Sequence, residues 1–166
     1  RTEKVDNGFT SKLLSVVRLG NIGGNLIDEL IAESIIKNSG VSSPLNESQK
    51  IELVSLCEKL KIKICKDIIN DAATHFELPT LSNSNDKRAI ASTENLNSTG
   101  ITSISISFKE FNSIMLSYWT GKPDRQGIKA TLDLSTENAA IEFSMIDKVI
   151  VTGGGGRNPY IKNQVA

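Results

Sequence analysis

Histidine, cysteine, proline and aromatic residues are all scarce in this chain of 166 residues, which has 1 His, 2 Cys, 4 Pro and 5% aromatic residues. Two cysteines cannot form a disulfide framework. Cys57 and Cys65 also stand eight residues apart in a predicted helix, a rise of about 12 Å that no disulfide spans. The single histidine, His75, has no cysteine or carboxylate at metal-ligand spacing, so we interpret it as a structural or surface residue.

The chain also lacks an excess of either charge, because 19 Lys and Arg residues balance 19 Asp and Glu residues. This balance argues against the broad positive field with which proteins bind nucleic acid or anionic membranes. No run approaches the roughly 20 apolar residues of a membrane-spanning helix, and no signal-peptide pattern opens the chain. The length suits one domain, or two small subdomains, with a substantial core. We therefore expect neither nucleic acid nor a membrane as a partner.

Turn and periodicity signals predict a hairpin and two helices in the first 70 residues. Asp6-Asn7-Gly8 is typical of a tight turn, and it predicts a hairpin whose second strand runs over Phe9–Leu19. A stripe of apolar residues predicts a helix over about Asn25–Asn38. Asn46 can cap a second amphipathic helix that extends to about Lys66.

The middle of the chain combines a polar segment with a strong helix start. In segment 82–100, ten of nineteen residues are Ser, Thr or Asn, which predicts a mobile surface insertion that buries too little apolar surface to offset its ordering entropy. Before it, residues 74–78 are compatible with a short strand. After it, the alternation over Ile101–Ile106 predicts a strand, and Ser107–Glu110 is a capping box that opens a helix to about Trp119.

The last third of the chain predicts a break, a helix, a strand and a glycine-rich turn. Gly121-Lys122-Pro123 interrupts the preceding helix, and a further helix is predicted over 124–132. Lys148–Thr152 is an apolar run that predicts a strand leading directly into four glycines. Pro159 is suited to the first position of a closing helix.

The glycine run Gly153–Gly156 is the first candidate binding feature. Glycines let a ligand approach the backbone closely, the amides of the helix start favour an anion, and Arg157 adds a planar set of donors. The run lacks the Gly-Lys-Ser/Thr of a Walker loop and the third glycine of a dinucleotide fingerprint. A flexible turn without a ligand is the alternative that composition leaves open.

One face of the second helix is the other candidate binding feature. Glu58, Lys61, Ile62 and Cys65 are spaced i, i+3, i+4 and i+7, so they project from the same face. A carboxylate, an ammonium and an apolar side chain in this arrangement can hold a ribose and cover a base. The alternative is an ordinary Glu–Lys helix pair of small energetic weight.

Taken together, these segments resemble the second lobe of the nucleotide-binding domain of heat-shock protein 70 (DnaK-type) chaperones. The similar segments are Arg18–Asp28 to G-D-T-H-L-G-G-E-D-F-D, Cys57–Ile62 to C-E-R/K-A-K-R/I, Ser107–Phe111 to T-R-A-E-F, and Ile146–Pro159 to I-D-K-V-I-L-V-G-G-S-T-R-I-P. The last match is the most specific, and the order and spacing of the others support it. The resemblance covers most of the chain outside 79–100 and 120–140.

The resemblance implies an α/β (α+β) chain with the fold of lobe II of the actin-like ATPases, which is ribonuclease-H-like. It implies an inner mixed-sheet subdomain formed by 1–22 and 107–166. Residues 23–106 would form an outer helical and small-sheet subdomain that includes the flexible Ser/Asn-rich insertion at 82–100. Gly23-Gly24 would lie at the hinge between the two subdomains.

The resemblance also implies an adenosine site for ATP or ADP. Glu58 and Lys61 would bind the ribose, Ile62 would pack on the adenine, and Cys65 replaces a serine that hydrogen-bonds the base in the family. The nucleotide-binding loop would comprise Gly153, Gly154, Gly155 and Arg157. No catalytic residue and no metal ligand is predicted in this chain, and the Mg²⁺ that accompanies the nucleotide would be bound in the intact parent protein.

The phosphate-binding hairpins of that family, D-L-G-T-T and D-L-G-G-G-T-F-D, do not occur in this sequence. The second would lie just upstream of Arg1, so we expect a fragment of an ATP-dependent chaperone of protein folding and the stress response. The parent would be an ATPase and this fragment alone inactive. Its outer subdomain would bind a nucleotide exchange factor, a J-domain co-chaperone would act through the parent, and the compartment would be the cytoplasm, with the endoplasmic reticulum or another organelle as alternatives.

Two other functions stay open at the level of sequence. A divergent, non-hydrolysing co-chaperone or exchange factor of the same family is favoured by Cys65, by Gly155-Gly156 in place of Ser-Thr, and by the 82–100 insertion. A small-molecule kinase of the actin-like ATPase superfamily would also have glycine-rich adenosine loops. The match over Cys57–Ile62 argues against the kinase.

Overall fold

The computed structural model describes residues 2–6, 8–18, 22–41, 44–74, 84–153 and 157–165, and in these ranges the chain is a mixture of helices and small antiparallel sheets. The helices are α1 Gly24–Ser39, α2 Glu47–Thr74, α3 Glu94–Asn97, α4 Phe108–Thr120, α5 Ile128–Ala139 and α6 Pro159–Val165, with a 3₁₀ turn at Phe143–Met145. The strands are β1 Thr2–Val5, β2 Gly8–Ser11, β3 Lys87–Ala91, β4 Ser103–Ser107, β5 Gly121–Lys122 and β6 Arg125–Gln126. They form the antiparallel pairs β1–β2, β3–β4 and β5–β6.

Helix α1 packs against α2, and the predicted helix over Asn25–Asn38 is confirmed. Its buried apolar residues recur at helical spacing, which gives α1 one continuous core-facing stripe. They are Ile27, Leu30, Ile31, Ala32 and Ile35. The helix ends at Gly40, whose φ of 65° is left-handed and suits glycine in the C-cap.

Helix α2 begins where the sequence predicts and ends later. The backbone N–H of Gln49 donates to Asn46 Oδ1 at 2.9 Å, and the N–H of Asn46 donates to Gln49 Oε1 at 3.0 Å, so the cap is reciprocal. The predicted end near Lys66 is wrong because Ile68 continues the buried stripe and extends the helix to Thr74. Thr74 therefore lies in a helix, while the rest of the strand predicted over 74–78 lies outside the described residues.

Much of the Ser/Asn-rich segment is ordered structure. Strand β3 pairs with β4 so that Lys87 lies opposite Ser107 and Ala91 opposite Ser103. Leu96, in the short helix α3, has no exposed surface. The prediction of a mobile insertion is therefore wrong for residues 87–97. Composition underestimates the stability of this segment, because most of its side chains are polar. One buried apolar residue, Leu96, and the β3–β4 ladder stabilise it.

Side chains on α2 hold the β3–α3 segment in place. Arg88 pairs with Asp67, and its guanidinium carbon lies 4.8 Å from the centroid of the Phe108 ring. Lys63 Nζ donates to the carbonyl of Ala89 at 3.2 Å. These contacts tie the β3–β4 pair to both α2 and α4.

Helix α4 starts with the predicted capping box. The hydroxyl of Ser107 accepts from the N–H of Glu110, and the Glu110 carboxylate accepts from the N–H of Ser107 at 2.8 Å. That backbone hydrogen bond holds the pKa of Glu110 below its usual value. The helix buries Phe111 and Met115, and it contacts α1, α5 and α6, so α4 lies at the centre of the described core.

Two other secondary-structure predictions are wrong in extent. The N-terminal hairpin forms with Val5 opposite Gly8, but β2 ends at Ser11, and residues 12–18 belong to no strand. The helix predicted over 124–132 instead begins at Ile128, because the residues before it form the tight β5–β6 hairpin. Gly121 permits this hairpin: its φ is 89°, and a Cβ there would lie 2.6 Å from the carbonyl oxygen of Arg125.

The strand predicted over Lys148–Thr152 is also wrong. These residues pair with no strand in the described chain, and Ile150 is 76% exposed. Every strand pair that is described is antiparallel and two-stranded, so the expected mixed sheet is not found in these ranges. The division into 1–22 with 107–166 and 23–106 stays a prediction, although one hydrophobic cluster contains both Ile31 of α1 and Phe111 of α4.

Leu96→Ala tests whether the polar segment belongs to the cooperative fold. We expect a loss of about 3 kcal/mol in the free energy of unfolding, because the substitution leaves a cavity in the core. The measurement is urea unfolding followed by circular dichroism. Leu116→Ala is the matched control, since Leu116 is 49% exposed on α4 and should change stability by no more than about 0.5 kcal/mol. Equal effects of the two substitutions would contradict the structure.

Candidate functional site

The predicted face of α2 lies at the boundary between solvent and core. Glu58 is exposed and Ile62 is 44% exposed, whereas Lys61 and Cys65 are partly buried. The helix thus carries all four candidate residues, as the spacing predicts. The polar atoms at its inner edge need partners inside the protein.

Lys61 finds those partners on α1. Its Nζ donates to Asp28 Oδ2 at 2.7 Å and to the carbonyl oxygen of Gly24 at 3.1 Å. The side chain of Lys61 is 14% exposed, and that of Asp28 is 3% exposed. No ion pair joins Lys61 to Glu58, although both residues are described. The ordinary Glu–Lys helix pair is therefore not what this spacing produces.

Asp28 is the least solvated charged group of the candidate site. Burial raises the pKa of Asp28, and the hydrogen bond and charge of Lys61 oppose that rise. The negative charges of Glu58 and Glu29 add to the rise. The second carboxylate oxygen of Asp28, Oδ1, is buried and has no hydrogen-bond partner among the described residues. The carboxylate therefore depends strongly on Lys61 for its compensation.

Gly24 has a packing role beside this ion pair. A Cβ built on Gly24 would lie 3.3 Å from Lys61 Nζ, closer than most such contacts in proteins. Glycine at this position lets the ammonium reach the first turn of α1 without displacement. The hinge at Gly23-Gly24 stays a prediction, and the structure adds a separate reason for a small residue at position 24.

Asp28 is the site residue that the sequence analysis does not assign. It ends the Arg18–Asp28 segment of the resemblance, but no role is attached to it there. The sequence signal that could have identified Asp28 is its position on the apolar stripe of α1, next to Ile27 and one turn before Ile31. An acidic residue among core positions normally has a cationic partner in the fold. The sequence alone does not say which cation this is.

Both cysteines of α2 are protonated thiols at neutral pH. Burial raises the pKa of Cys57 to about 12 and that of Cys65 to about 11, and the charge of Asp28 contributes to both rises. Neutral thiols are poor nucleophiles and weak hydrogen-bond donors. Cys65 can therefore offer a ligand no more than a weak hydrogen bond.

The glycine-rich turn is described at its two ends. Gly153 has a φ of 78°, and it and Arg157 are both exposed, while Gly154 and Gly155 lie outside the described residues, as does His75. Pro159 opens α6 as predicted. The helix is fixed at its start by the buried Asn158, whose Oδ1 accepts from the N–H of Tyr160 at 2.9 Å.

Helix α6 contacts α2, which carries the other candidate residues. A groove of about 240 Å³ lies elsewhere on the surface, between residues 12–15 and α5, and none of the candidate residues lines it. No three His, Cys, Asp or Glu side chains gather as a metal-binding group among the residues that the structure describes. Within those residues, no helix has the length and apolar character to cross a bilayer.

Comparisons with protein-family models and with curated proteins find no match for this chain. The functional assignment therefore rests on the motifs in the sequence and on the contacts around Lys61.

Lys61→Met tests the electrostatics of the candidate site. At about pH 7 we expect a loss of about 3 kcal/mol in the free energy of unfolding, because Asp28 becomes a buried charge without compensation. The pKa of Asp28 is already raised above 3.8 in the fold, so the folded state holds the proton more tightly than the unfolded state. Stability linked to this group therefore increases as the pH falls. Because Lys61 lowers the pKa of Asp28, its removal makes this increase larger in the variant. The difference in free energy of unfolding between variant and wild type should therefore narrow towards about pH 5.

The control is the double variant Lys61→Met/Asp28→Asn, which lacks the titrating group. The free energy of unfolding of this double variant should differ from that of Asp28→Asn by an amount that does not change with pH over the same range. Urea unfolding at the two pH values measures all four proteins. A gap between Lys61→Met and wild type that is independent of pH would contradict an ionised, buried Asp28.

Proposed function

We propose that the chain is the adenosine-binding part of a heat-shock-70-like chaperone ATPase, with the fold of lobe II of the actin-like ATPases. The observation that carries this proposal is the contact of Lys61 with Asp28 and Gly24. It joins two of the segments that separately resemble the family, Arg18–Asp28 and Cys57–Ile62. A shared adenosine site requires that these two segments be adjacent, and the contact meets that requirement.

The exposed parts of the α2 face suit the ribose and the base of a nucleotide. Glu58 presents an accessible carboxylate, which can accept from ribose hydroxyls. Lys61 presents an ammonium whose position is fixed. Ile62 has 44% of its surface free to pack on an adenine ring. These three side chains support the proposal of an adenosine site at this face.

The glycine-rich turn would complete the adenosine side from α6. Arg157 is exposed at the start of that helix and supplies planar donors suited to a phosphate or a ring nitrogen. Helix α6 contacts α2, and that the turn before it meets the Glu58 face is part of the proposal. The positions of Gly154 and Gly155 in that site are part of the proposal.

The phosphates would be bound mainly by groups that this chain does not contribute. The hairpin motifs D-L-G-T-T and D-L-G-G-G-T-F-D do not occur in the sequence. In the intact parent, Mg²⁺ would neutralise the phosphate charge during hydrolysis. We accordingly propose that the chain alone binds adenine nucleotides weakly and does not hydrolyse ATP. Exchange factors, J-domain co-chaperones and the cytoplasm are proposed as the partners and compartment of the parent.

A divergent, non-hydrolysing co-chaperone or exchange factor of the same family is the second candidate. One observation favours it: Cys65, with its pKa raised to about 11, is a weak donor at the position where the resemblance implies a serine. The cysteine departs from the family pattern at this position, which favours a divergent member in which the nucleotide would serve mainly as a structural element. Single-turnover hydrolysis by the parent distinguishes the two functions.

Glu58→Ala tests the proposed site directly. We expect the wild-type chain to bind ADP with a dissociation constant on the order of 1 mM. The variant should bind about tenfold more weakly, because hydrogen bonds to a charged group contribute about 1.5–3 kcal/mol. Chemical-shift changes in NMR titrations with ADP provide the measurement. Glu47→Ala is the control, since Glu47 is also exposed on α2 but lies in its first turn.

Two results would count against the proposal. Equal ADP affinity of Glu58→Ala and wild type would remove the ribose contact. Micromolar binding of ATP by the wild-type chain would show that this chain holds the phosphates itself, whereas the proposal assigns them to other parts of the parent.

Cys65→Ser tests base recognition. Serine is the stronger hydrogen-bond donor, so we expect ADP to bind about threefold to tenfold more tightly. The same NMR titration measures the change. Cys57→Ser is the control, because Cys57 is fully buried and its substitution should lower stability without improving ADP binding. An unchanged or weaker ADP affinity of Cys65→Ser would place the adenine away from this residue.

A further inference from the structure

The hydrogen bonds of Lys61 leave one donor for a ligand. A lysine ammonium has three N–H donors. Asp28 Oδ2 and the Gly24 carbonyl accept two of them, at 2.7 Å and 3.1 Å. No further acceptor of Lys61 is found in the described part of the chain. With 14% of the side chain exposed, the remaining donor is the polar group that Lys61 can offer to a bound molecule.

Asp28 fixes the direction of that donor. A lysine side chain has four rotatable bonds and is flexible when it is exposed. In this fold the carboxylate of Asp28 is 3% exposed and is part of a regular helix, so it has little freedom to follow Lys61. Gly24 adds a second fixed acceptor from the first turn of the same helix. Two fixed acceptors on α1 therefore define where the ammonium of α2 lies.

This arrangement differs from that of Glu58. Glu58 is exposed and has no ion-pair partner among the described residues. An exposed side chain of this kind loses rotamer freedom when a ligand binds, whereas Lys61 has already lost it on folding. Of these two side chains, Lys61 is the one held in place before a ligand binds, and Asp28 is what holds it.

We propose that Asp28 is a positioning residue, which with Gly24 holds Lys61 so that its third donor meets a ribose hydroxyl. The inference rests on the proposed function, because it specifies how the same site recognises a sugar diol. It assigns to Asp28 a role in ligand recognition without contact with the ligand. If Asp28 has this role, its substitution should lower the contribution of the ribose hydroxyls to binding.

The test compares adenosine with 2′,3′-dideoxyadenosine, which lacks both ribose hydroxyls. NMR titration of the wild-type chain should give about thirtyfold tighter binding of adenosine, because Glu58 and Lys61 would both contact the ribose hydroxyls. In Asp28→Asn this preference should fall to about tenfold, the share that Glu58 retains, while binding of the dideoxy compound stays within about twofold of wild type. If Asp28→Asn lowered affinity through structural damage alone, it would weaken the binding of both ligands equally.

The matched control is Asp133→Asn. It removes the exposed pair of Lys129 and Asp133 on α5, whose Nζ–Oδ2 distance is 2.9 Å, and should leave the hydroxyl preference unchanged. Gly24→Ala provides a second route to the same readout if Asp28→Asn does not fold. Its Cβ would lie 3.3 Å from Lys61 Nζ, so the ammonium must shift by a few tenths of an ångström while its charge is kept. We expect a similar fall in the hydroxyl preference.

The outcomes separate this inference from the proposed function. If the wild type prefers adenosine and Glu58→Ala weakens binding, but folded Asp28→Asn or Gly24→Ala keeps the full hydroxyl preference, the positioning role is overturned and the proposed function stands. If the wild type binds both compounds equally, Lys61 does not meet the ribose, and the inference is wrong. If the wild type binds neither compound at millimolar concentration, the proposed function fails and the inference fails with it.

Discussion

The ion pair of Lys61 and Asp28 is the constraint on which the candidate site depends. Taking an ammonium and a carboxylate out of water is costly, and each is tolerated in the fold because the other is present. The pair also reaches the first turn of α1 through the carbonyl of Gly24. The relative position of α1 and α2 is thereby linked to Lys61, so that stability and the proposed recognition of a ligand share the same few atoms.

Sequence reasoning identifies features that local chemistry determines. The caps at Asn46 and Ser107 and the start of α6 at Pro159 follow from hydrogen-bonding and backbone preferences that act over three or four residues. The face with Glu58 and Lys61 follows from helical spacing. The partner of Lys61 does not, because Asp28 lies 33 residues away and the ion pair depends on how two helices pack.

Tertiary contacts are also the reason that two segments differ from their predicted structure. Segment 82–100 looks too polar to fold, yet the burial of Leu96 and the interaction of Arg88 with Asp67 and Phe108 fix much of it to its surroundings. Lys148–Thr152 has the composition of a strand, yet a strand requires a neighbour, and none pairs with it in the described chain. In both cases tertiary contacts decide the outcome, and composition describes the segment in isolation.

The exposed run Val149–Val151 has a consequence for the behaviour of the protein in concentrated solution. These three β-branched residues are 37–76% exposed and form no ladder with the described strands. A short apolar segment that pairs with none of the described strands is a template for edge-to-edge pairing between molecules. Exposure of this run favours association through a few residues before the glycine-rich turn, and such association does not require the core to unfold.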